Sequence, residues 1–438
     1  MSEAQPEVSL FDHDTLVDPY AAYKTLRDQA PVHFEPNFGA YIVTRYDLIR
    51  EAIRDTATYS SEFGDFLDGA RKILFQQAPP DVQQKLIELN EQMIPLPPTM
   101  LTLDEPAHTK YRSLVAKLFT GSEVRKSEPT VREVVERNIE DLAAAPETDG
   151  ELAADFMSTD FMSAFAFPVP LRIIADRLGI PAAERAFFDE AATAAAGGLR
   201  LSPLTPEQML HRAQLAFDLQ NLLVSLVEAR RREPAEDMIT ILANSRLQDE
   251  DRLLTHGEAL SVLNQFLVAG HETTSSAFGW GMLLLCRNPS LQEEIRGDAG
   301  RIRTFVEEAL RMEAPVQGLP RLVKRDTELG GVPLAAGSLI MLRFGAANRD
   351  ERQFEDPDQV RIDRKKAGMQ LAFGSGVHHC IGAPLARQEL NLGFAALLDR
   401  FEGFRLADGA DPEAEPSFIL RNLPTLPICY RPRRDQEN

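Results

Sequence analysis

Phe373-Gly-Ser-Gly-Val-His-His-Cys380-Ile-Gly-Ala-Pro384 is the stretch of this sequence that decides its fold. The glycines at 374, 376 and 382 permit backbone angles and close approaches that a Cβ atom would forbid. Cys380 comes just before a predicted helix, Pro384–Phe401, whose first turn holds the proline. The N-terminus of a helix lowers the pKa of a nearby thiol and stabilises the thiolate, which is the form that binds metal. The stretch therefore predicts a cysteine that presents its sulfur to something flat and close.

Two other interpretations of this cysteine stay open at this point. A lone cysteine is most often a small buried apolar residue, and we assign that role to Cys286 and Cys429. A zinc site made by His378, His379 and Cys380 is the second alternative. Adjacent residues splay their side chains apart and the sequence has no second cysteine pair, so the pattern disfavours zinc.

A long helix, Gly257–Arg287, is predicted upstream of this loop and would span about 45 Å if unbroken. Its middle carries the polar run Ala269-Gly-His-Glu-Thr-Thr274. Gly270 thins the helix, and a threonine hydroxyl that bonds back to a carbonyl can open a groove in it. An acid beside an alcohol offers a proton donor and a relay to water. An ordinary Ser/Thr-rich helical segment is the alternative.

The rest of the chain is mostly helical, with few short strands set apart from the helices. Further predicted helices are Asp18–Gln29, Val131–Ala144, Met209–Arg232 and Ile302–Met312. Predicted strands are Ala40–Thr44, Arg321–Val323, Val332–Leu334 and Leu339–Leu342. We predict an α+β fold, mainly α with small segregated β-sheets.

Composition narrows the class of protein further. The 438 residues are 44% hydrophobic and carry a formal net charge of −20, which disfavours nucleic acid and anionic membranes as partners. Three widely spaced cysteines fit a reducing compartment. The polar, acidic N-terminus lacks the features of a signal peptide, and no stretch is typical of a membrane anchor. We expect one cytoplasmic catalytic domain over residues 1–438, with a short flexible N-terminus at about 1–15.

The cysteine stretch resembles the haem-binding signature of the cytochrome P450 family. The resemblance covers nearly the whole chain, from about Asp18, and implies a triangular, helix-rich single domain. Haem b would lie between the long central helix and the helix after the cysteine, with the sulfur of Cys380 bound to its iron. Phe373 would shield that sulfur, and Gly376 and Gly382 would let the loop and the following helix run close to the ring.

The run in the long helix is similar to the oxygen-activation motif of that family. The resemblance implies that Glu272 and Thr273 deliver protons to dioxygen, while Ala269 and Gly270 border the oxygen pocket. Fatty-acid peroxygenases of the same fold lack this acid–alcohol pair. Its presence favours a monooxygenase that uses O₂ and electrons.

Two further sets of residues match the family in order along the chain. Glu308 and Arg311 match its Glu-x-x-Arg ion pair, but Gln359 stands where many members have arginine, which leaves a third charged partner in doubt. Four side chains match the clamp on the haem propionates: His108, Arg112, Arg321 and His378.

The resemblance implies hydroxylation or epoxidation of a hydrophobic small molecule such as a terpenoid, steroid, fatty acid or alkyl aromatic. The long apolar loop 61–101 is expected to form a lid over the cavity. No dinucleotide fingerprint is present, so electrons would come from a ferredoxin with its NAD(P)H-dependent reductase. We expect the cations that dock the ferredoxin to lie near Cys380: Lys110, Lys117, Arg349, Lys365, Lys366 and Arg387. A haem-based sensor or carrier and a peroxide-driven enzyme remain alternatives.

Overall fold

The structure is a computed structural model that describes residues 8–144, 156–196, 204–247 and 250–433. Part of the predicted flexible N-terminus, residues 1–7, lies outside the described residues. The remainder is not irregular throughout, because residues 13–15 belong to a short helix, α1 (His13–Val17).

Helices make up most of the described chain. The N-terminal ones are α2 (Tyr20–Gln29), α3 (Tyr46–Arg54), α4 (Gly64–Gln76), α5 (Pro80–Gln92), α6 (Ala107–Ala116), α7 (Gly121–Lys126) and α8 (Glu128–Ala143). The central ones are α9 (Pro168–Leu178), α10 (Arg185–Ala196), α11 (Pro206–Arg232), α12 (Met238–Asn244) and α13 (His256–Arg287). The last are α14 (Pro289–Gly297), α15 (Ile302–Met312), α16 (Phe344–Ala347) and α17 (Ala383–Arg400).

The strands form small separate sheets. They are β1 (Val32–Glu35), β2 (Ala40–Val43), β3 (Tyr59–Ser60), β4 (Met157–Asp160), β5 (Arg246–Leu247), β6 (Arg252–Leu253), β7 (Gly318–Val323), β8 (Thr327–Leu329), β9 (Val332–Leu334), β10 (Leu339–Arg343), β11 (Phe401–Leu406) and β12 (Pro427–Pro432). The largest sheet has the order β1-β2-β10-β7-β3 and is antiparallel except where β10 runs parallel to β2. The others are β11-β12-β4 and the pairs β5-β6 and β8-β9. The predicted mainly α fold with segregated sheets is confirmed.

The 32-residue helix α13 crosses the centre of the largest hydrophobic core. A capping box starts it: the Thr255 hydroxyl accepts from the Glu258 N–H, and the Glu258 carboxylate accepts from the Thr255 N–H. Its C-terminal half packs against α17 and α15, where Gly281 leaves room for the ring of Phe394. The helix is therefore fixed at both ends and exposes only part of one side.

The predicted lid is more ordered than a loop. Helices α4 and α5 occupy most of residues 61–101, and α5 packs on α11. Polar residues at a helical spacing within this apolar segment are the sequence feature that indicates these two helices. None of the helices among the described residues is both long and apolar enough to cross a membrane.

Candidate active site

The cysteine loop has the backbone geometry that its glycines predict. Gly374 and Gly376 have φ angles of 64° and 69°, in the left-handed region that favours glycine. A Cβ atom on Gly376 would also lie 3.0 Å from the side chain of Ile53 in α3. The N–H of Cys380 donates to the carbonyl of Phe373 at 2.9 Å, which closes the loop directly before α17. The loop is thus a rigid turn that holds one cysteine in place.

The sulfur of Cys380 lies at the N-terminal end of α17. Its side chain is exposed, yet protein surrounds it closely enough that desolvation raises the pKa of the thiol. The backbone N–H groups of Gly382 and Ala383 face the sulfur and act in the opposite direction, as do Arg112 and Arg387. Burial alone would keep the thiol protonated, so the N–H groups and cations are what favour a thiolate here.

The middle of α13 borders an internal space. Gln265, Ala269 and Thr273 follow one another at four-residue spacing and are exposed or half-exposed, whereas most of this central helix is buried. The Thr273 hydroxyl donates to the carbonyl of Ala269 at 2.7 Å, as the sequence predicts. Glu272 is 3% exposed and lies next to this groove in the chain.

Gly270 has a second reason to be glycine that the sequence did not reveal. A Cβ atom there would lie 3.3 Å from Ile174, so its missing side chain admits α9 against α13. Its backbone is half-exposed. Close helix packing and an open groove therefore both depend on this position.

His108, Arg112, Arg321 and His378 lie together, as predicted. The rings of His108 and His378 have their centroids 4.3 Å apart, and each has a buried Nε2 atom without a hydrogen-bond partner. Burial first, and then the charges of Arg321, His108 and Arg112, lower the pKa of His378 to about 3. Arg321 is 5% exposed, and burial lowers its pKa to about 10.

The nearby carboxylates do not neutralise this group. Asp104 lies 2.7 Å from Nζ of Lys324 and accepts from Ser60 and Ser61, so it is already engaged. Glu105 holds Nδ1 of His108 at 3.1 Å, which leaves Nε2 facing the cluster. Arg112 donates to the carbonyl of His379 at 2.6 Å and ties α6 to the cysteine loop. Buried and half-buried donors with too few acceptors fit an anionic occupant with carboxylates, such as haem.

The Glu308–Arg311 pair has a third charged partner, which resolves the doubt raised by Gln359. Both side chains are fully buried, with Arg311 Nε 2.7 Å from Glu308 Oε1. Gln359 contributes only its backbone carbonyl, which accepts from Arg311 at 3.0 Å. Nε of Arg364 lies 2.9 Å from Glu308 Oε1, close enough for an ion pair although its angle is poor for a hydrogen bond.

In the part of the chain that the structure describes, no group of three His, Cys, Asp or Glu side chains is placed so that it could bind a zinc ion. What the described residues bring together is a single cysteine at a helix N-terminus, a grooved central helix and a cluster of buried and half-buried donors. That arrangement fits a protein that holds a flat, dianionic, metal-bearing cofactor through one sulfur ligand.

Comparison with known proteins leads to the same class. The family model described as Cytochrome P450 matches residues 68–428. Cytochrome P450 107B1 of Saccharopolyspora erythraea is 31% identical over 97% of this chain and 98% of its own length. The 6-deoxyerythronolide B hydroxylase of the same organism is 30% identical over 94% of this chain and 96% of its own. The structure of CYP109E1 from Bacillus megaterium with corticosterone has a TM-score of 0.78 and 25% identity, covering 95% of this chain and 99% of that one.

The chain belongs to the cytochrome P450 family. It is a P450 monooxygenase, and its cofactor is haem b. The family and the fold class predicted from the sequence are confirmed.

Proposed function

We propose that this monooxygenase inserts one oxygen atom of O₂ into a C–H or C=C bond of a hydrophobic small molecule, with electrons from a ferredoxin. The observation that carries the proposal is the Cys380 sulfur at the N-terminus of α17, in a fixed loop that also holds His378. Haem, when bound, supplies a redox-active iron that activates O₂. The groups that would hold haem and deliver protons are side chains of this chain.

The described residues that would hold haem follow from the geometry above. Cys380 would bind its iron from the loop that also carries Phe373 and Gly376, and a Cβ atom on Gly382 would lie 3.9 Å from the sulfur. The two carboxylates would be received by the donor cluster formed by His108, Arg112, Arg321 and His378. A charged group in a buried site is stabilised by such paired, hydrogen-bonded partners.

Proton delivery is assigned to Glu272 and Thr273, at the groove that Ala269 and Gly270 border. The Thr273 hydroxyl hydrogen is engaged by the Ala269 carbonyl, so its oxygen is free to accept a hydrogen bond from water. Glu272 is buried one residue earlier and can hold a proton close to that water.

A hydrophobic substrate is supported by the walls around the groove. Val316 and Leu319 are half-buried at the start of β7, and Val316 bridges to Leu420 in the C-terminal tail. Leu101, at the end of the lid, is 38% exposed. The relative named 6-deoxyerythronolide B hydroxylase and the similar structure crystallised with corticosterone support the same substrate class. Tighter spectral binding of nucleosides or sugars than of corticosterone would contradict this part of the proposal.

The cations proposed to bind the ferredoxin differ from the docking cations that the sequence predicts near Cys380. Arg349 is only 11% exposed in its side chain and pairs with Glu313, so it was wrongly placed in that set. Arg387 is also engaged, by Glu307. Lys117, Lys365 and Lys366 are exposed, and the apolar side chains of Met369 and Val377 are 43% and 40% exposed. Exposed lysines together with exposed apolar side chains suit an acidic protein partner.

Charge reversal tests this surface. Lys117→Glu combined with Lys366→Glu should slow reduction by an acidic surrogate ferredoxin and flatten the dependence of the rate on salt. Lys85→Glu, an exposed lysine on α5, is the matched control and should leave both unchanged. Equal rates in the double variant and the control would argue against docking at this face.

Sulfur ligation is tested by adding carbon monoxide to the reduced protein. The wild type should show the Soret shift that a thiolate ligand causes, and Cys380→Ala should lose it. Cys286→Ala removes a buried sulfur remote from the loop and should keep it. A shift that survives in Cys380→Ala would overturn the assignment. A cytoplasmic location and a single domain over residues 1–438 stay predictions from the sequence.

A further inference from the structure

Arg387 lies on α17, seven residues after Cys380, and is held in one position. Its guanidinium carbon is 4.4 Å from the centroid of the Phe373 ring. Two of its nitrogens pair with the Glu307 carboxylate, Nε at 2.5 Å and Nη2 at 3.2 Å. Stacking combined with a bidentate ion pair fixes both the position and the plane of the guanidinium.

Glu307 is itself held from the other side. Its Oε2 accepts from Gln370 Nε2 at 3.1 Å, and Gln370 Oε1 accepts from the Ala372 N–H at 2.5 Å. Glu307 and Gln370 are buried. A continuous set of bonds therefore runs from α15 to the residue before Phe373 and fixes Arg387 relative to the cysteine loop.

The guanidinium of this ion pair lies against the ring of Phe373, whose carbonyl accepts from the Cys380 N–H in the same loop. The charges of Arg112 and Arg387 both favour the thiolate of Cys380. The Glu307 carboxylate pairs with the guanidinium and partly offsets its charge. The arrangement suits electrostatic tuning of the sulfur better than docking, because a cation engaged by a buried acid is a poor contact for an outside partner.

We propose that Arg387 is a positioning residue: held by Glu307 and Phe373, it sets the electrostatic field at the Cys380 sulfur and thereby the reduction potential of the bound cofactor. The inference rests on the proposed ligation by Cys380. A cation beside the thiolate draws electron density from the sulfur and stabilises the state that has gained an electron. Removing the cation should lower the potential, and removing its counter-charge should raise it.

Two variants with opposite expected signs test the proposal. The reduction potential of the haem-loaded protein is measured by spectroelectrochemical titration. Arg387→Met should shift it to more negative values, and Glu307→Gln, which leaves the guanidinium charge uncompensated, should shift it to more positive values. Lys366→Met is the control, since it removes an exposed cation of the same loop region, and should leave the potential unchanged.

A structural role or a docking role gives different results. If Arg387 only supports the fold, both variants lose stability without opposite shifts, and shifts of the same sign or none overturn the proposal. If Arg387→Met does not retain haem, two other variants still decide the proposal. Glu307→Gln must shift the reduction potential to a more positive value. Arg387→Lys, which keeps the charge, must shift the potential by a smaller amount than Glu307→Gln does. The carbon monoxide spectrum of the same samples distinguishes two kinds of failure. A thiolate band with unchanged potentials would mean that the inference about Arg387 is wrong. Absence of the thiolate band would mean that the proposed ligation by Cys380 is wrong.

Discussion

The hydroxyl of Thr273 donates to the carbonyl oxygen of Ala269, one turn earlier on α13, at 2.7 Å. Bonds of this kind compete with the helix's own hydrogen bonds and loosen the ladder locally. They also commit the hydroxyl hydrogen, so the threonine oxygen presents lone pairs to the internal space. In the proposed function Thr273 would therefore act first as an acceptor that positions water, and the neighbouring Glu272 would supply the proton.

Replacing Thr273 separates these two roles. Thr273→Ala should still bind haem and consume NAD(P)H with a surrogate ferredoxin system, but more of the oxygen should leave as peroxide. Thr273→Ser keeps the hydroxyl and should stay close to the wild type. The measurement is product formed per NAD(P)H consumed, with any ligand that shifts the haem spin state. Fully coupled turnover in Thr273→Ala would refute the assigned role.

Replacing Glu272 by Gln should reduce the rate itself. A positioned proton donor typically contributes about 100-fold or more, so turnover should fall by about that factor while haem content is unchanged. If turnover of Glu272→Gln decreased by less than about 3-fold, another group would have to supply the proton.

The buried pair Glu308–Arg311 leads to a graded prediction of stability. Arg311 also donates to the carbonyls of Asn348 and Pro357, so Arg311→Met leaves a buried carboxylate and several acceptors unpaired and should cost about 3–5 kcal/mol. Arg364→Met leaves the main pair intact and should cost about 1–3 kcal/mol.

Urea unfolding of the haem-loaded protein measures both changes. Arg361→Met is the control, because its side chain pairs with the exposed carboxylates of Glu355, Asp356 and Asp363, and solvent-exposed pairs contribute little to stability. If Arg364→Met costs no more than the control, Arg364 is not the third member of the buried cluster.

These contacts show how far the sequence leads. Cys380, the run around Thr273 and the four donors on three separate segments are predictable because each has a local pattern or a matching family position. Arg364 is not predictable from the sequence, because Gln359 holds the position that matches the family and only the folded path of residues 355–364 brings a later arginine to Glu308. Arg349 was misplaced for the related reason that a sequence does not show which cation a fold buries against an acid. Burial and long-range pairing are properties of the packed chain.

A pH dependence follows from Glu258 at the start of α13. Its carboxylate accepts from Arg252, Thr255 and Tyr111, and the bond from Arg252 is the largest cause that lowers its pKa to about 2. A depressed carboxyl pKa contributes stability that is present above its unfolded value of about 4.3 and is lost as pH falls toward 2.

Comparison with Glu258→Gln isolates this contribution. The difference in free energy of unfolding between the wild type and the variant should be constant from pH 7 to about 5 and shrink between about 4.3 and 2. An amide at position 258 can still accept from the Thr255 N–H, so the upper plateau measures the loss of the charge-assisted bond from Arg252. A difference that does not vary with pH would show that Glu258 acts only through packing.

The lid is fastened to its neighbours by side chains that the sequence did not reveal. Gln220, 7% exposed on α11, accepts from the N–H of Ile94 at 2.7 Å and donates to its carbonyl at 2.9 Å. Farther along the same segment, Ser261 of α13 donates to the Pro97 carbonyl at 2.8 Å, and Gln265 donates to Thr99. The segment 94–99 therefore connects α11 to the central helix.

Loss of the Gln220 contact should free this end of the lid while the α13 end stays attached. Two hydrogen bonds together contribute about 1–2 kcal/mol, so Gln220→Ala should reduce hydrogen-exchange protection of the Ile94 amide by about 10-fold and speed entry and exit of an azole ligand. Gln214→Ala, an exposed glutamine on the same helix that bonds only to Asp218, should change neither quantity. Because α5 packs on α11, unchanged exchange at Ile94 in Gln220→Ala would mean that this packing, rather than the paired amide, holds the lid closed.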